Sequence, residues 1–162
     1  MAIRKELTGH QAYTKLADLC ARSEHCQQEM LDKMRQWGVP KEEQAQVMER
    51  LVKERYVNDE RFTRAFVNDK IRYNKWGRRK VEQALWAKRI DEHIAKTVLD
   101  DVDDEEYITI LKPLLKQKRR SIKADSEYEL NMKLIKFALS RGFTMDIIKQ
   151  CMNVDDESEF LD

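Results

Sequence analysis

The sequence predicts an all-α protein: about nine short helices in tandem three-helix repeats, stacked into an elongated, curved array. Three observations lead there. Four glycines and two prolines among 162 residues are too few to turn a chain through the many short strands of a sandwich or barrel. Apolar residues recur at helical rather than alternating spacing almost throughout. The same pattern of apolar and turn residues also appears three times along the chain.

Taken in order, Thr8 and Gln11 have capping-box spacing and open a first helix. Its stripe is Tyr13, Leu16, Ala17 and Cys20, at i, i+3, i+4 and i+7. Met30, Met34 and Trp37 form the next stripe, which Gly38 closes as a left-handed C′ residue. Pro40 suits the first turn of a third helix, where its missing N–H costs nothing, and Val47, Leu51 and Val52 supply the apolar face. Asn58 and Asp59 are cap candidates ahead of Phe62, Phe66 and Val67. Val81, Leu85 and Trp86 mark a later helix, and Tyr107, Leu111, Leu114 and Leu115 another, in which Pro113 predicts a kink or a new start. Ser126 with Glu129 repeats the capping-box spacing before Leu130, Leu134, Phe137 and Ala138, and Gly142 closes that run.

The repeat emerges when Gly38, Arg89 and Gly142, 51 and 53 residues apart, are aligned as helix-ending residues. Four positions earlier lie Met34, Leu85 and Ala138, eight earlier Met30, Val81 and Leu134, and one later Val39, Ile90 and Phe143. Tyr13, Phe62 and Tyr107 each open a copy. The predicted repeats are 8–57, 58–103 and 104–154, followed by a disordered acidic tail, 155–162.

The net charge of +1 conceals segregation. Residues 50–89 hold thirteen Lys or Arg against five acids, residues 90–111 one base against eight acids, residues 112–123 six bases and no acid, and residues 154–162 five acids and no base. A single run of this kind is ordinarily a solvated helix face. Two basic blocks in one small chain point to a polyanion, or an acidic protein surface, as partner. The start, Met1-Ala2-Ile3-Arg4-Lys5-Glu6, carries charges with no apolar region behind them, which predicts neither a signal peptide nor a membrane span. Three cysteines are too few for a disulfide framework at this length, and the expected home is the reducing cytoplasm.

Catalysis is not predicted. Neither common phosphate-cradling glycine loop is present, His10, Cys20, His25 and Cys26 match no zinc spacing, and there is no Gly-x-Ser-x-Gly elbow. No metal and no cofactor is expected. The chemically richest stretch is 55–80, where bases alternate with aromatics, a combination suited to phosphate contact and base stacking. Tyr56 and Phe62 read as packing residues at the join between repeats. Arg72, Lys75, Arg78, Arg79 and Lys80 read as an exposed binding face, which Lys112, Lys116, Arg119, Arg120 and Lys123 extend.

At these residues the sequence resembles the RecX regulators of the bacterial recombinase RecA. The string YVNDERF, residues 56–62, resembles that family's signature, and the basic stretch KWGRRKVEQAL, residues 75–85, and Lys88-Arg89-Ile90 follow at the expected distances. The resemblance implies an all-helical, non-enzymatic modulator that binds the groove of the RecA nucleoprotein filament and curbs its ATPase and strand-exchange activities. It also implies weak, salt-dependent affinity for single- and double-stranded DNA, with no membrane partner and a monomeric state. Tyr56, Asn58, Asp59, Phe62 and Gly77 would then be structural, the polar pair capping a helix, while Arg55, Arg61 and the bases beyond would meet the partner. Two features depart from the family pattern: Arg89, where Gly38 and Gly142 stand in the other copies, predicts an altered turn, and the acidic tail is unexplained. The rival reading is a direct DNA-binding protein of helix-turn-helix type.

Overall fold

The structure is a computed structural model that describes residues 6–152. The acidic segment 155–162, expected to be disordered, lies outside the described residues. Nine helices and no strand occur among the described residues: α1 (Gly9–Arg22), α2 (Gln27–Gln36), α3 (Lys41–Lys53), α4 (Asp59–Arg72), α5 (Arg78–Ala87), α6 (Glu92–Asp100), α7 (Asp104–Ser121), α8 (Glu127–Ser140) and α9 (Met145–Met152). None is long and apolar enough to cross a membrane.

The chain divides into two compact units, one comprising residues up to Phe66 with Leu85–Val98, the other Val67–Ala84 with Leu99 onward. In the first, α1 and α2 pack on α3 around Ala12, Leu16, Met30, Met34, Val47 and Leu51. In the second, α8 and α9 pack on α7, burying Leu111, Leu134, Ala138, Phe143 and Ile148. Burying one such Leu, Phe or Met side chain contributes about 1.5–3 kcal/mol. The unit boundaries fall inside α4, α5 and α6, so these three helices contribute residues to both units.

The nine apolar positions aligned by the repeat are all buried: Met30, Met34 and Val39; Val81, Leu85 and Ile90; Leu134, Ala138 and Phe143. The anchors themselves share one backbone state, with φ of 69° at Gly38, 56° at Arg89 and 93° at Gly142. The next N–H reaches back to the same helical carbonyl each time: Val39 to Met34 at 3.0 Å, Ile90 to Leu85 at 3.1 Å and Phe143 to Ala138 at 3.1 Å. Arg89 therefore leaves the turn unaltered, contrary to the sequence expectation. A left-handed conformation costs a side-chain-bearing residue roughly 1–2 kcal/mol, and a cation at a helix C-terminus gains favourable interaction with the dipole in return.

Other expectations change in detail. Val52 and Trp86 belong to no core and are 41% and 77% exposed, since each sits one residue, about 100°, past the buried Leu51 or Leu85 on its helix. Pro113 neither starts nor ends a helix; α7 runs through it. Pro113 and Thr109 both face solvent, where water can satisfy the carbonyl that a proline leaves without its N–H partner. Thr8 and Gln11 form a complete capping box. Ser126 accepts from the Glu129 N–H at 3.1 Å, but the Glu129 carboxylate accepts from the Asp125 N–H instead.

Candidate partner interface

Around the signature, local chemistry first secures the chain. Asn58 caps α4, its Oδ1 accepting from the Arg61 N–H at 2.9 Å. Asp59 caps a different helix. Its carboxylate accepts from the Gln27 N–H at 2.9 Å, capping α2 from 32 residues downstream. The Asp59 carboxyl is half-buried, and burial raises its pKa against the opposing effect of the Gln27 N–H. Phe62 is buried against Phe66 at 5.5 Å between ring centres. Tyr56 meets Tyr13 edge-on at 6.3 Å.

Arg55 and Arg61 close the C-terminus of α3. Arg55 stands in the left-handed region at φ 64°, and its side chain is exposed. Arg61 donates from Nε to Glu24 at 2.6 Å and from Nη2 to the carbonyls of Arg55 and Tyr56 at 3.1 and 3.2 Å. With these three acceptors the Arg61 guanidinium holds the α3–α4 link together. In the same unit Lys88 bonds Glu29 at 3.2 Å and lies 5.9 Å from the Phe62 and Phe66 ring centres.

Gly77 stands where backbone meets backbone. Its N–H donates to the Arg141 carbonyl at 2.8 Å, and the Arg79 N–H donates to the Gly142 carbonyl at 3.0 Å. The first N–H groups of α5, which have no partner within their own helix, are thus satisfied by carbonyls that end α8. A Cβ on Gly77 would lie 2.3 Å from the Phe143 nitrogen, and one on Gly142 would lie 2.5 Å from the Lys80 nitrogen and Cβ. Nearby, the buried Tyr107 hydroxyl has no hydrogen-bond partner among the described residues and borders a cavity of about 60 Å³ that Arg78, Asp104 and Thr144 also line. Burial pushes the Tyr107 phenol up to about 12. Such a space suits a water or two rather than a metabolite.

The predicted basic residues separate into engaged and open ones. Arg78 is only 31% exposed and pairs with both Glu82 and Asp100 at 2.8 Å. Lys80 lies over Trp76 at 4.8 Å. Arg72 reaches Glu106 at 3.7 Å, with both side chains well exposed, a pairing worth little in water. Lys75 and Arg79 are exposed and make no ion pair among the described residues. On α7, Lys112, Lys116, Arg119 and Arg120 are exposed, as is Lys123 just beyond its end. Among these five only Arg119 meets a described acid, Glu127 at 3.1 Å. The open cations are therefore Lys75 and Arg79 at the start of α5 and the row along α7. Three aromatics are exposed among the described residues, Tyr73, Trp86 and Tyr128, at 78%, 77% and 48%; Tyr73 lies in the stretch read as suited to stacking, Trp86 was read as part of an apolar stripe, and Tyr128 was not singled out. Tyr73 was legible as an aromatic off the Phe62, Phe66 and Val67 stripe; Trp86 was hidden by its place beside Leu85.

Three family models match the chain in order: RecX, first three-helix domain, at residues 12–51; the second three-helix domain at 58–99; and the third at 104–152. The chain belongs to the RecX family. Among relatives named regulatory protein RecX, that of Acinetobacter baylyi is 27% identical over 93% of this chain and 91% of its own. That of Oceanobacillus iheyensis is 25% identical over 96% of this chain but only 57% of its own length. The crystal structure of RecX from Lactobacillus salivarius superposes with a TM-score of 0.82 at 19% identity, over 90% of this chain and 94% of the other. That likeness establishes the shared all-helical fold, three tandem three-helix domains.

Proposed function

We propose that this RecX-family chain is a non-enzymatic regulator that binds the RecA nucleoprotein filament and inhibits its ATPase, recombinase and strand-exchange activities. It acts in the cytoplasm as a monomer, in DNA recombination, repair and the SOS response, and has weak, salt-dependent affinity of its own for single- and double-stranded DNA. The observation that carries the reading is the presence of all three RecX domains in sequence on one chain. The open cations Lys75, Arg79, Lys112, Lys116 and Arg120 supply a chemistry for it, since exposed bases without counter-charges favour a polyanionic surface. Inhibition requires differential affinity for one filament state, because a ligand shifts an equilibrium only by that difference.

The test is the RecA ATPase rate on single-stranded DNA with increasing amounts of this protein, alongside salt titrations of its binding to naked DNA and to preformed filament. Suppression well below one regulator per recombinase, with filament bound more tightly than naked DNA at equal salt, is the expected result. If the rate falls only when the protein saturates the DNA, with a salt slope set by phosphate contacts alone, the chain is a competing DNA binder. Glu substitutions at Lys75, Arg79, Lys112, Lys116 and Arg120 should remove inhibition while leaving helicity intact.

A further inference from the structure

Tyr73 stands where no packing accounts for it. It lies just past the end of α4, its N–H still donating to the Asp69 carbonyl at 2.9 Å, and Ile71 on the same path is buried. Two residues further, about 200° around the helix axis, Tyr73 is turned away from that buried side and is 78% exposed. Its ring and hydroxyl meet no ring, cation or hydrogen-bond partner among the described residues. Trp76 differs, because the Lys70 and Lys80 ammonium groups lie 5.3 and 4.8 Å from its ring centre. Tyr73 is the open aromatic of this stretch.

The charge around it has one sign. Residues 70–80 hold six bases, Lys70, Arg72, Lys75, Arg78, Arg79 and Lys80, and no acid. Lys75 and Arg79 are exposed and make no ion pair among the described residues, and Arg72 reaches Glu106 only at 3.7 Å, with both side chains well exposed. Backbone contacts fix the segment that carries them. Lys75 takes φ 59°, the Trp76 N–H returns to the Lys70 carbonyl at 3.1 Å, and the Arg79 N–H donates to the Gly142 carbonyl at 3.0 Å. An open ring among cations without counter-charges fits a ligand that combines a flat apolar face with an anionic chain. A nucleic-acid strand has both, and only an unpaired base offers its face, because in a duplex each face is already stacked and freeing it costs unstacking. An acidic peptide would satisfy the cations alone.

We propose that Tyr73 is a stacking platform for one unpaired base of a single-stranded nucleic acid, with Lys75 and Arg79 meeting the adjoining phosphates. The inference rests on the nucleic-acid affinity in the proposed function and divides that affinity in two: a charge contribution common to all strands, and a stacking contribution that a duplex does not receive. The platform tolerates any sequence, since every base has a π-face.

The test titrates the full chain, Tyr73→Ala and Tyr73→Phe against a thymidine oligonucleotide, an abasic strand of the same length and phosphate count, and a duplex, all at equal salt. Because the Tyr73 side chain packs on nothing described, thermal unfolding of the variants should match that of the full chain. Tyr73→Ala should bind the thymidine strand about tenfold more weakly, bind the abasic strand and the duplex as before, and keep the salt slope. Tyr73→Phe should retain the affinity, since stacking uses the ring. Lys75→Ala with Arg79→Ala should instead lower the salt slope on both single strands by about 1.4, roughly 0.7 per phosphate contact. Equal losses on the thymidine and abasic strands, no loss on either, or a loss in Tyr73→Phe overturns the platform. Binding to none of the probes overturns the nucleic-acid affinity beneath it, and the platform with it. If Tyr73→Ala weakens inhibition of the RecA ATPase yet binds the thymidine strand normally, the ring meets the recombinase, and the platform falls while the proposed function stands.

Discussion

Helices α2 and α5 occupy equivalent places in successive repeats, and the residues that precede them, Cys26 and Gly77, are 51 positions apart. Each helix must find acceptors for N–H groups that its own turns leave unpaired. At α2 the solution is made of side chains: the Cys26 N–H donates to Glu29 at 3.0 Å and the Gln27 N–H to Asp59 at 2.9 Å, with Lys88 holding Glu29. At α5 it is made of backbone, with Gly77 and Arg79 donating to the carbonyls of Arg141 and Gly142. The side-chain positions tell the same story from the other direction. Lys80 stands where α2 has Glu29, and Arg141 where the second repeat has Lys88, so two like charges replace the ion pair and cannot substitute for it. Side-chain caps tolerate separation and adjustment, whereas the backbone version requires two glycines.

The largest expected effect follows from that requirement. Gly77→Ala places a methyl 2.3 Å from the Phe143 nitrogen, an overlap no rotamer can relieve. Urea unfolding should show a loss of at least about 3 kcal/mol, the range reserved for backbone clashes and strain. The equivalent change on the other side, Cys26→Ala, keeps a Cβ and deletes one buried sulfur, so a loss of about 1 kcal/mol is expected. Equal losses at the two sites would dissolve the distinction.

Next in size is the cap that crosses repeats. Asp59→Ala removes the acceptor for the Gln27 N–H and should cost about 1–2 kcal/mol, while Asp59→Asn, which retains an oxygen there, should cost less than half of that. Asn58→Ala, which uncaps α4 instead, should cost a similar amount to Asp59→Ala. Their effects should add if the two caps are independent.

These junctions also show what the sequence could and could not convey. Helical periodicity and the aligned triplets identify the core because burial acts on one residue at a time; all nine aligned positions are inside. Asn58 was legible as a cap because its acceptor role is local. Asp59, its neighbour, was read as a cap for the same helix, because its donor lies on a helix 32 residues away and nothing in the local string distinguishes the two. Arg61 and Arg78 were counted with the free bases largely for the same reason: Glu24 and Asp100 reach them only in three dimensions, although Glu82, four residues after Arg78 on α5, was a local partner the string did offer. Gly77 was singled out through family resemblance, but its cause, the Phe143 backbone, became visible only in the fold.

Arg89 offers a smaller effect of opposite sign. Its φ of 56° is the conformation that Gly38 and Gly142 adopt without a Cβ, so Arg89→Gly should raise stability by about 1 kcal/mol, less whatever its charge contributes at the helix end. Thermal unfolding at fixed ionic strength measures the difference. A destabilised variant would mean that the guanidinium outweighs the backbone strain.

The finest comparison lies within the α2 junction, where two carboxylates titrate in opposite senses. For Glu29, burial raises the pKa but is outweighed by the Cys26 N–H and Lys88, so the folded value is lowered. Its contribution to stability is complete above the unfolded value of about 4.3 and is lost as pH falls through the folded one. For Asp59, burial dominates and the folded value is raised, so stability is lost as pH rises from the unfolded value of about 3.9 through the folded one. Glu29→Gln should therefore reduce the loss of stability below about pH 4.3, and Asp59→Asn should steepen it. Lys88→Met should return the Glu29 pKa towards its ordinary value. With both partners about one-third exposed, a Glu29–Lys88 double-mutant cycle should give a coupling below about 1 kcal/mol. A larger coupling would mean that the ion pair, rather than the Asp59 cap, dominates the side-chain junction.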